Sequence, residues 1–286
     1  MTTLLKIEFS VAGEELDECV EFLSAKVPHG WEEIEKNGRF HYTVFLEDHP
    51  LGMELVAEIK DRFPDGGLSH NEQESENWAM AWKDFFAPVS CGDRFEILPP
   101  WMADASDDGM THIVIEPKMA FGTGHHPTTS LCLELIGELS KEGRIDDSMN
   151  FLDLGTGSGI LAIGLAKLGL DGLAVDIDPQ AVVCARENIQ NNDTEDAIAL
   201  SVGGVESIAP EQQYDLVVAN ILSGPLIEMA GELVEHVKDG GCLILSGILG
   251  EQGERVAAAY RRRGLPAPEI FTQGEWVALL WREVGR

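Results

Sequence analysis

The chain has 286 residues, a length sufficient for one large domain or two smaller ones. Of these residues, 44% are hydrophobic and 24% are charged. Acidic side chains outnumber basic ones by 50 to 20, giving a formal net charge of −30 that argues against binding of free nucleic acid and favours a basic partner. There is no apolar run of the roughly 20 residues that cross a bilayer, no basic leader and no CxxC pair among five cysteines, so we expect a cytoplasmic protein with reduced thiols that does not contact membranes.

The first 75 residues predict a small α+β domain. Asn37-Gly38 is typical of a hairpin turn, and apolar residues recur at strand and helix spacing on both sides of it. The order βαββαβ predicts a ferredoxin-like sandwich, which we interpret as a substrate-recognition domain over residues 1–75. The predicted elements are a strand, a helix, a two-stranded hairpin, a second helix and a last strand, over about 3–11, 14–26, 31–35 with 39–47, 51–62 and 68–74.

Residues 76–90 predict a helical linker. Trp78, Trp82 and Phe85 share one face at helical spacing, an aromatic seam more typical of packing than of ligand binding.

The remaining chain, 91–286, begins with short strands and continues from Asn150 as a regular α/β alternation. Apolar strands flanked by helices predict a parallel sheet covered on both faces. Asp178 and Pro179 are typical of a helix N-cap and first turn. The predicted strands are FLDLG, GLAVDID, YDLVVAN and CLILSG, the helices between and after them are ILAIGLAKLG, PQAVVCARENIQNN, GPLIEMAGELVEHV and EQGERVAAAYRRR, and FTQGEWVALLW is a final hairpin.

The most informative motif is DLGTGSGI, at a strand-to-helix junction. Gly155, Gly157 and Gly159 let the backbone turn tightly and approach a ligand, and Asp153 stands two residues before the first glycine. A dinucleotide fingerprint would need a third glycine at Ile160, and a nucleotide P-loop would end in GK[ST]; the sequence has neither.

A second acid, Asp176, ends the next predicted strand in AVDIDP. It lies 17 residues beyond Gly159. A carboxylate at this place can accept hydrogen bonds from both hydroxyls of a ribose, and it would repel a 2′-phosphate, which argues against NADP.

The stretch AFGTGHHPTT, residues 120–129, raises a metal site as an alternative. Adjacent side chains such as His125 and His126 rarely converge on one metal, and no cysteine or acid lies at ligand spacing, so no metal site is expected. A serine hydrolase would need GxSxG, which is absent. Pro127 is typical of a first helical turn, so the stretch predicts a loop leading into a helix.

Together these motifs resemble the class I methyltransferases that use S-adenosylmethionine, and more closely the PrmA family, the methyltransferases of large-subunit ribosomal protein L11. The resemblance covers about residues 77–281 and is weaker over the first 75. It is carried by AFGTGHHPTTSLCLELI, DLGTGSGILAIGLAKLG, VDIDPQAV with ARENI, VVANILSGPLIEMA, LILSGIL and the EW dipeptide.

The resemblance implies a Rossmann-like α/β methyltransferase domain over 91–286, with a seven-stranded, mostly parallel sheet that has one antiparallel strand. It implies S-adenosylmethionine as the cofactor, S-adenosylhomocysteine as the product and a basic ribosomal protein as the partner of a monomeric enzyme. The residues expected to contact the cofactor are Thr129, Asp153, Gly155, Gly157, Gly159, Asp176, Asn220, Phe121 (an apolar wall) and Gly122 (close backbone approach).

The sequence departs from the family pattern at three places. His125 stands where Thr is usual and Thr156 where Cys is frequent, both peripheral to the expected contacts. Residues 116–119 read EPKM where Asp-Pro-Gly-Leu is usual, which puts in doubt how this loop packs over the cofactor.

Methyl transfer from a sulfonium is an in-line displacement, for which a protein mainly supplies alignment and a dry site. The target amine must be neutral, and desolvation lowers the pKa of an amine. We expect Asn220, at the end of its strand, to accept a hydrogen bond from this amine, with Ile221 and Leu222 excluding water. The alternative is that Asn220 only caps the following turn.

Three functions remain open. The favoured one is N-methylation of lysine ε-amines and/or the N-terminal amine of ribosomal protein L11. The others are methylation of another protein or a small amine, and a non-catalytic cofactor-binding scaffold. A small substrate would not require the N-terminal domain, and the intact Asp153, Asp176 and Asn220 argue against a scaffold.

Overall fold

In the computed structural model the chain divides into two compact units, Met1–Phe86 and Ala87–Arg286. The expected aromatic seam at Trp78, Trp82 and Phe85 lies outside the described residues. No helix in the described part is long and apolar enough to cross a membrane. The structure describes residues 3–27, 31–36, 38–46, 49–74, 88–103, 109–116 and 126–285.

The first unit is a ferredoxin-like sandwich, as predicted. Its four strands form an antiparallel sheet in the order β2-β3-β1-β4. Alternate residues of β1, such as Ile7 and Phe9, are buried with Leu23 of α1 and Ile59 of α2, so the helices cover one face. The elements are β1 (Thr3–Ala12), α1 (Leu16–Lys26), β2 (Glu32–Lys36), β3 (Arg39–Leu46), α2 (His49–Arg62) and β4 (Ser69–Glu74).

The second unit opens with a three-stranded sheet of β5 (Val89–Cys91), β6 (Phe95–Leu98) and β7 (Thr111–Val114). Val89 and Ser90 pair with β6, so the predicted helical linker is wrong for these two residues. β7 runs parallel to β6.

The main sheet has seven strands in the order β10-β9-β8-β11-β12-β14-β13. β14 is antiparallel to both of its neighbours, which confirms the predicted class I methyltransferase sheet with one antiparallel strand. Its elements are α3 (Pro127–Lys141), β8 (Asn150–Leu154), α4 (Ile160–Lys167), β9 (Asp171–Asp176), α5 (Pro179–Asn191), β10 (Ile198–Val202), β11 (Tyr214–Asn220), α6 (Ser223–Glu228), α7 (Ala230–Glu235), β12 (Val237–Leu249), α8 (Gly250–Arg261), β13 (Glu269–Gln273) and β14 (Trp276–Trp281).

Both faces of the main sheet are buried, because neighbouring residues of its central strands enter different clusters. Phe151 and Val218 belong to one hydrophobic cluster, and Leu152 and Val217 belong to the other. The apolar runs predicted as two-sided strands therefore sit between two layers of helices.

The single helix predicted over GPLIEMAGELVEHV is two helices, α6 and α7. They meet at Met229, whose ψ of 9° departs from helical values. The Tyr260 hydroxyl donates a hydrogen bond of 3.0 Å to the Leu226 carbonyl, the group that would accept from Ala230 in a continuous helix.

Candidate active site

The predicted site residues gather where the parallel strands β8, β9 and β11 end. The glycine loop follows β8, Asp176 ends β9 and Asn220 ends β11. Because parallel strands bring their carboxyl ends to one edge of a sheet, this edge is where such folds bind ligands.

The glycine loop holds a backbone conformation that favours glycine at three positions. Gly155, Gly157 and Gly159 have φ values of 75°, 57° and 84°. The amides of Gly155 and Thr156 both donate to the Val175 carbonyl, at 2.9 and 3.0 Å. The loop is therefore fixed against β9, and Gly159 is the N-cap of α4.

Asp153 lies under this loop, fully buried. One carboxylate oxygen, Oδ2, accepts from the Thr156 hydroxyl at 2.6 Å and from the Ala162 amide at 3.2 Å. The other, Oδ1, is buried without a hydrogen-bond partner. Burial raises the pKa of Asp153 to about 7, with a further contribution from the charge of Asp176, against the opposing effect of the two hydrogen bonds.

Asp176 contacts the glycine loop directly. Its Oδ2 accepts from the Gly157 amide at 2.9 Å and its Oδ1 from the Asp178 amide at 3.0 Å. Asp178 caps α5 by accepting from the Gln180 amide at 2.8 Å, and Pro179 occupies the first turn, which confirms both predictions.

The Asn220 side chain connects the end of β11 to the start of α3 by a hydrogen bond. Its Nδ2 lies 3.4 Å from the hydroxyl oxygen of Thr129, a fully buried residue. Its Oδ1 is buried without a hydrogen-bond partner. The next helix is capped at Leu222 with no side-chain hydrogen bond, so the Asn220 side chain is directed to Thr129 rather than to the following turn.

A pocket of about 300 Å³ opens beside Asn220. The rings of His126 and Trp276 meet edge to face in its wall, with centroids 4.8 Å apart. His126 also caps α3, since its Nδ1 accepts from the Thr128 amide at 3.3 Å. Leu222, 71% exposed, completes an apolar rim.

Ile221 and Gly247 line the same pocket, and Ile221 is held between two glycines. A Cβ at Gly155 would collide with Cγ2 of Ile221, and a Cβ at Gly247 would collide with the Ile221 carbonyl. The two glycines therefore allow the glycine loop, the Asn220 strand end and β12 to approach closely.

Comparison with known proteins identifies the family. A family model described as ribosomal protein L11 methyltransferase (PrmA) matches residues 18–283. The chain belongs to this family.

Individual PrmA relatives agree over most of the chain. The ribosomal protein L11 methyltransferase of Geotalea uraniireducens is 41% identical over 281 residues, covering 96% of this chain and 79% of the relative. That of Myxococcus xanthus is 43% identical over 236 residues, covering 82% and 79%. The crystal structure of a ribosomal protein L11 methylase from Lactobacillus delbrueckii subsp. bulgaricus superposes with a TM-score of 0.61 at 29% identity, covering 68% of this chain and 97% of that one. The predicted family and enzyme class are thereby confirmed.

Sequence reasoning gave no site role to several residues that line the pocket of this PrmA-family chain, among them Trp276 and Gly247. Trp276 belongs to the EW dipeptide that carries part of the resemblance, but its spacing does not indicate that β14 inserts beside β12. Gly247 ends the predicted strand CLILSG and lies inside the longer β12, where an isolated glycine is a signal of close backbone approach.

Two residues expected to contact the cofactor, Phe121 and Gly122, and the departure from the family pattern at His125 lie outside the described residues. Within the described ranges, no group of three His, Cys, Asp or Glu side chains is arranged to hold a metal ion.

Gly247→Ala is expected to lower the free energy of unfolding by about 2–3 kcal/mol, because the residue has a φ of 82° and its Cβ would strike backbone that cannot rotate away. Displacement of Ile221 should also reduce methylation. Gly240→Ala is the matched control, since Gly240 lies on the same strand with a φ of 80° and open space around its Cβ. Denaturant unfolding of both variants separates the effect of the steric clash from that of the backbone strain. Equal losses of unfolding free energy in the two variants would contradict a contribution from the clash with Ile221.

Proposed function

We propose that this chain transfers methyl groups from S-adenosylmethionine to amines of ribosomal protein L11, namely lysine ε-amines and/or the N-terminal amine, in the cytoplasm. The observation that carries the proposal is the unpartnered, buried Oδ1 of Asn220 beside a pocket of about 300 Å³. Ile221 lines the pocket and also lies against Gly155, so the pocket adjoins the glycine loop. An acceptor in a largely apolar pocket next to a cofactor loop suits a neutral amine.

The residues of the loop fit S-adenosylmethionine, which supplies an electrophilic methyl group on a sulfonium when bound. The cofactor carries an ammonium group, and the buried Asp153 Oδ1 lacks the donor that an ammonium provides. The Asp176 carboxylate, already fixed by two backbone amides, has remaining lone pairs for ribose hydroxyls. Glycines in the loop let its backbone approach the ligand.

The pocket residues favour the neutral form of the target amine and orient it for methyl transfer. Ile221, Leu222 and Trp276 remove water from the amine, which lowers its pKa and favours the neutral nucleophile. Asn220 Oδ1 accepts one N–H, which directs the nitrogen lone pair towards the methyl group. Alignment of this kind is the main source of rate for an in-line transfer.

Charge supports a basic protein substrate. The chain carries a formal net charge of −30, and strand β2 at the edge of the ferredoxin-like sheet exposes Glu32, Glu33 and Ile34. An acidic edge with an exposed apolar side chain suits a basic protein surface, and opposite charges accelerate encounter in a salt-dependent way. We assign substrate recognition to this first unit.

The deciding experiment incubates the protein with labelled S-adenosylmethionine and purified ribosomal protein L11, and maps the methyl groups by mass spectrometry. Label on lysines or on the N-terminus is expected, at a rate that falls with added salt. Free lysine and an unrelated basic protein of similar charge are the controls. If they are labelled as fast as L11, the substrate assignment is wrong, and if nothing is labelled, the activity assignment is wrong.

Asp176→Ala is expected to weaken binding of S-adenosylhomocysteine by roughly 30-fold or more, because it removes a charge-assisted acceptor for the ribose and the support of the Gly157 amide. Isothermal titration calorimetry measures this loss. The neighbouring Asp178→Asn keeps the cap of α5 and is expected to bind as the wild type does. Wild-type affinity in Asp176→Ala would exclude the ribose role.

A further inference from the structure

Two buried asparagines, Asn188 near the end of α5 and Asn192 at the C-cap of that helix, bond the backbone of β7 and of Glu116 beyond it. Asn192 bonds both backbone groups of Val114: its Oδ1 accepts from the amide at 2.8 Å and its Nδ2 donates to the carbonyl at 2.6 Å. One turn earlier, Asn188 Oδ1 accepts from the Glu116 amide at 3.1 Å, and its Nδ2 donates to the Ser158 carbonyl at 2.8 Å.

Among the described strands β7 pairs with β6 on one side, and on its other side the two carboxamides bond the backbone of Val114 and Glu116. The amides of Val114 and Glu116, two residues apart in extended chain, point to the same side. Asn188 and Asn192 are four residues apart on a helix and so lie about one turn from each other. Since both asparagines are buried, 0% and 5% exposed, their hydrogen bonds are protected from water.

Only Asn188 of the pair reaches the glycine loop. The Ser158 carbonyl that it bonds belongs to the peptide unit whose amide, on Gly159, donates to the Thr156 carbonyl at 2.9 Å. The Thr156 hydroxyl in turn donates to Asp153. Three hydrogen bonds, joined through the covalent Ser158–Gly159 peptide and the Thr156 residue, therefore link Asn188 to the buried carboxylate under the loop.

We propose that Asn188 is a positioning residue for the cofactor. It fixes the Ser158–Gly159 peptide plane, and with it the loop at Gly157 and Gly159, in the conformation that receives the ligand. Both glycines have positive φ and large freedom in an unrestrained chain, so a fixed loop lowers the entropy lost on binding. This inference rests on the proposed function, because it concerns the same cofactor.

The test compares Asn188→Ala with Asn192→Ala, a change of the same residue type at the C-cap of the same helix that leaves the bond from Asn188 to Ser158 in place. Asn188→Ala is expected to raise the Kd for S-adenosylhomocysteine and the KM for S-adenosylmethionine by roughly 10-fold, with kcat changed less than about twofold. Asn192→Ala should lower Tm but leave Kd within about twofold. Equal Kd values for the two variants, or wild-type binding by Asn188→Ala, overturn the proposal.

Hydrogen exchange gives a readout without ligand. The Gly159 amide is expected to exchange faster in Asn188→Ala and at the wild-type rate in Asn192→Ala. Unchanged exchange of the Gly159 amide in Asn188→Ala would contradict the positioning role, whether or not the protein binds cofactor. Failure of the wild type to bind S-adenosylhomocysteine would instead refute the proposed function. If Asn188→Ala fails to fold, Asn188→Asp keeps the acceptor for the Glu116 amide and loses the donor to Ser158, and the same comparison applies with Asn192→Asp.

Discussion

Asn220→Ala is expected to lower kcat for methylation of ribosomal protein L11 by roughly 100-fold, the size of effect that misalignment of reacting groups produces. The side chain is held by Thr129 and presents an unpartnered Oδ1. Without this acceptor the amine loses its orientation. Initial rates at saturating cofactor measure the change, and calorimetry with S-adenosylhomocysteine measures how much of it comes from cofactor binding.

Two further variants sharpen the Asn220 experiment. Thr129→Ser retains the hydroxyl that holds Asn220 and should keep most of the activity. Asn220→Asp retains an acceptor but adds a charge that raises the pKa of the target amine, so its activity should recover at a higher pH than that of the wild type. Near wild-type kcat in Asn220→Ala, or an unshifted pH profile in Asn220→Asp, would show that Asn220 does not contact the amine.

Asp153→Asn is expected to weaken cofactor binding and to remove its pH dependence. The folded pKa of about 7 means that Asp153 is protonated in much of the free protein at mildly acidic pH. If the cofactor ammonium binds the carboxylate, wild-type affinity for S-adenosylhomocysteine falls roughly 20-fold from pH 7.5 to pH 5.5 as the proton competes. Asp153→Asn should bind roughly 30-fold more weakly at pH 7.5, with a flat profile.

The same group should make the free protein more stable as the pH falls. Its pKa is raised from 3.8 to about 7 on folding, so the native state binds the proton more tightly than the unfolded chain. The unfolding free energy therefore declines as the pH rises from about 4 to about 7, by up to roughly 4 kcal/mol from this residue, and is level above. In Asp153→Asn the unfolding free energy should not fall over this pH range, whereas in Asp178→Asn it should fall as in the wild type. Identical stability profiles in the wild type and Asp153→Asn would refute the raised pKa.

Much of the fold could be predicted because its strands are long, apolar runs between helices. β10 could not, since Ile198–Val202 is an edge strand with exposed Ala199, Ser201 and Val202 and no clear apolar pattern. The break at Met229 also escaped prediction, because it depends on a hydroxyl from Tyr260, far along the chain. Local patterns describe an element but not a distant partner that interrupts it.

The candidate site was predicted where a residue's place in a motif fixes its position. Asp153, Asp176 and Asn220 stand at strand ends, so the parallel sheet brings them to one edge. Asn188 and Asn192 carried no such signal, because their role is to bond the backbone of β7, which is not adjacent in sequence. The local signal is two asparagines four apart, one inside α5, where asparagine is a poor helix former, and one at its C-cap.

The strand order has a consequence for synthesis on the ribosome. β13 joins the main sheet only through β14, although β13 is made first, and β14 is the strand that covers the edge of β12. A nascent chain that ends before Trp276 therefore exposes an unpaired β12 edge and lacks one wall of the pocket. Enzyme activity should appear only after β14 has emerged, and chains terminated before β14 should be prone to aggregation.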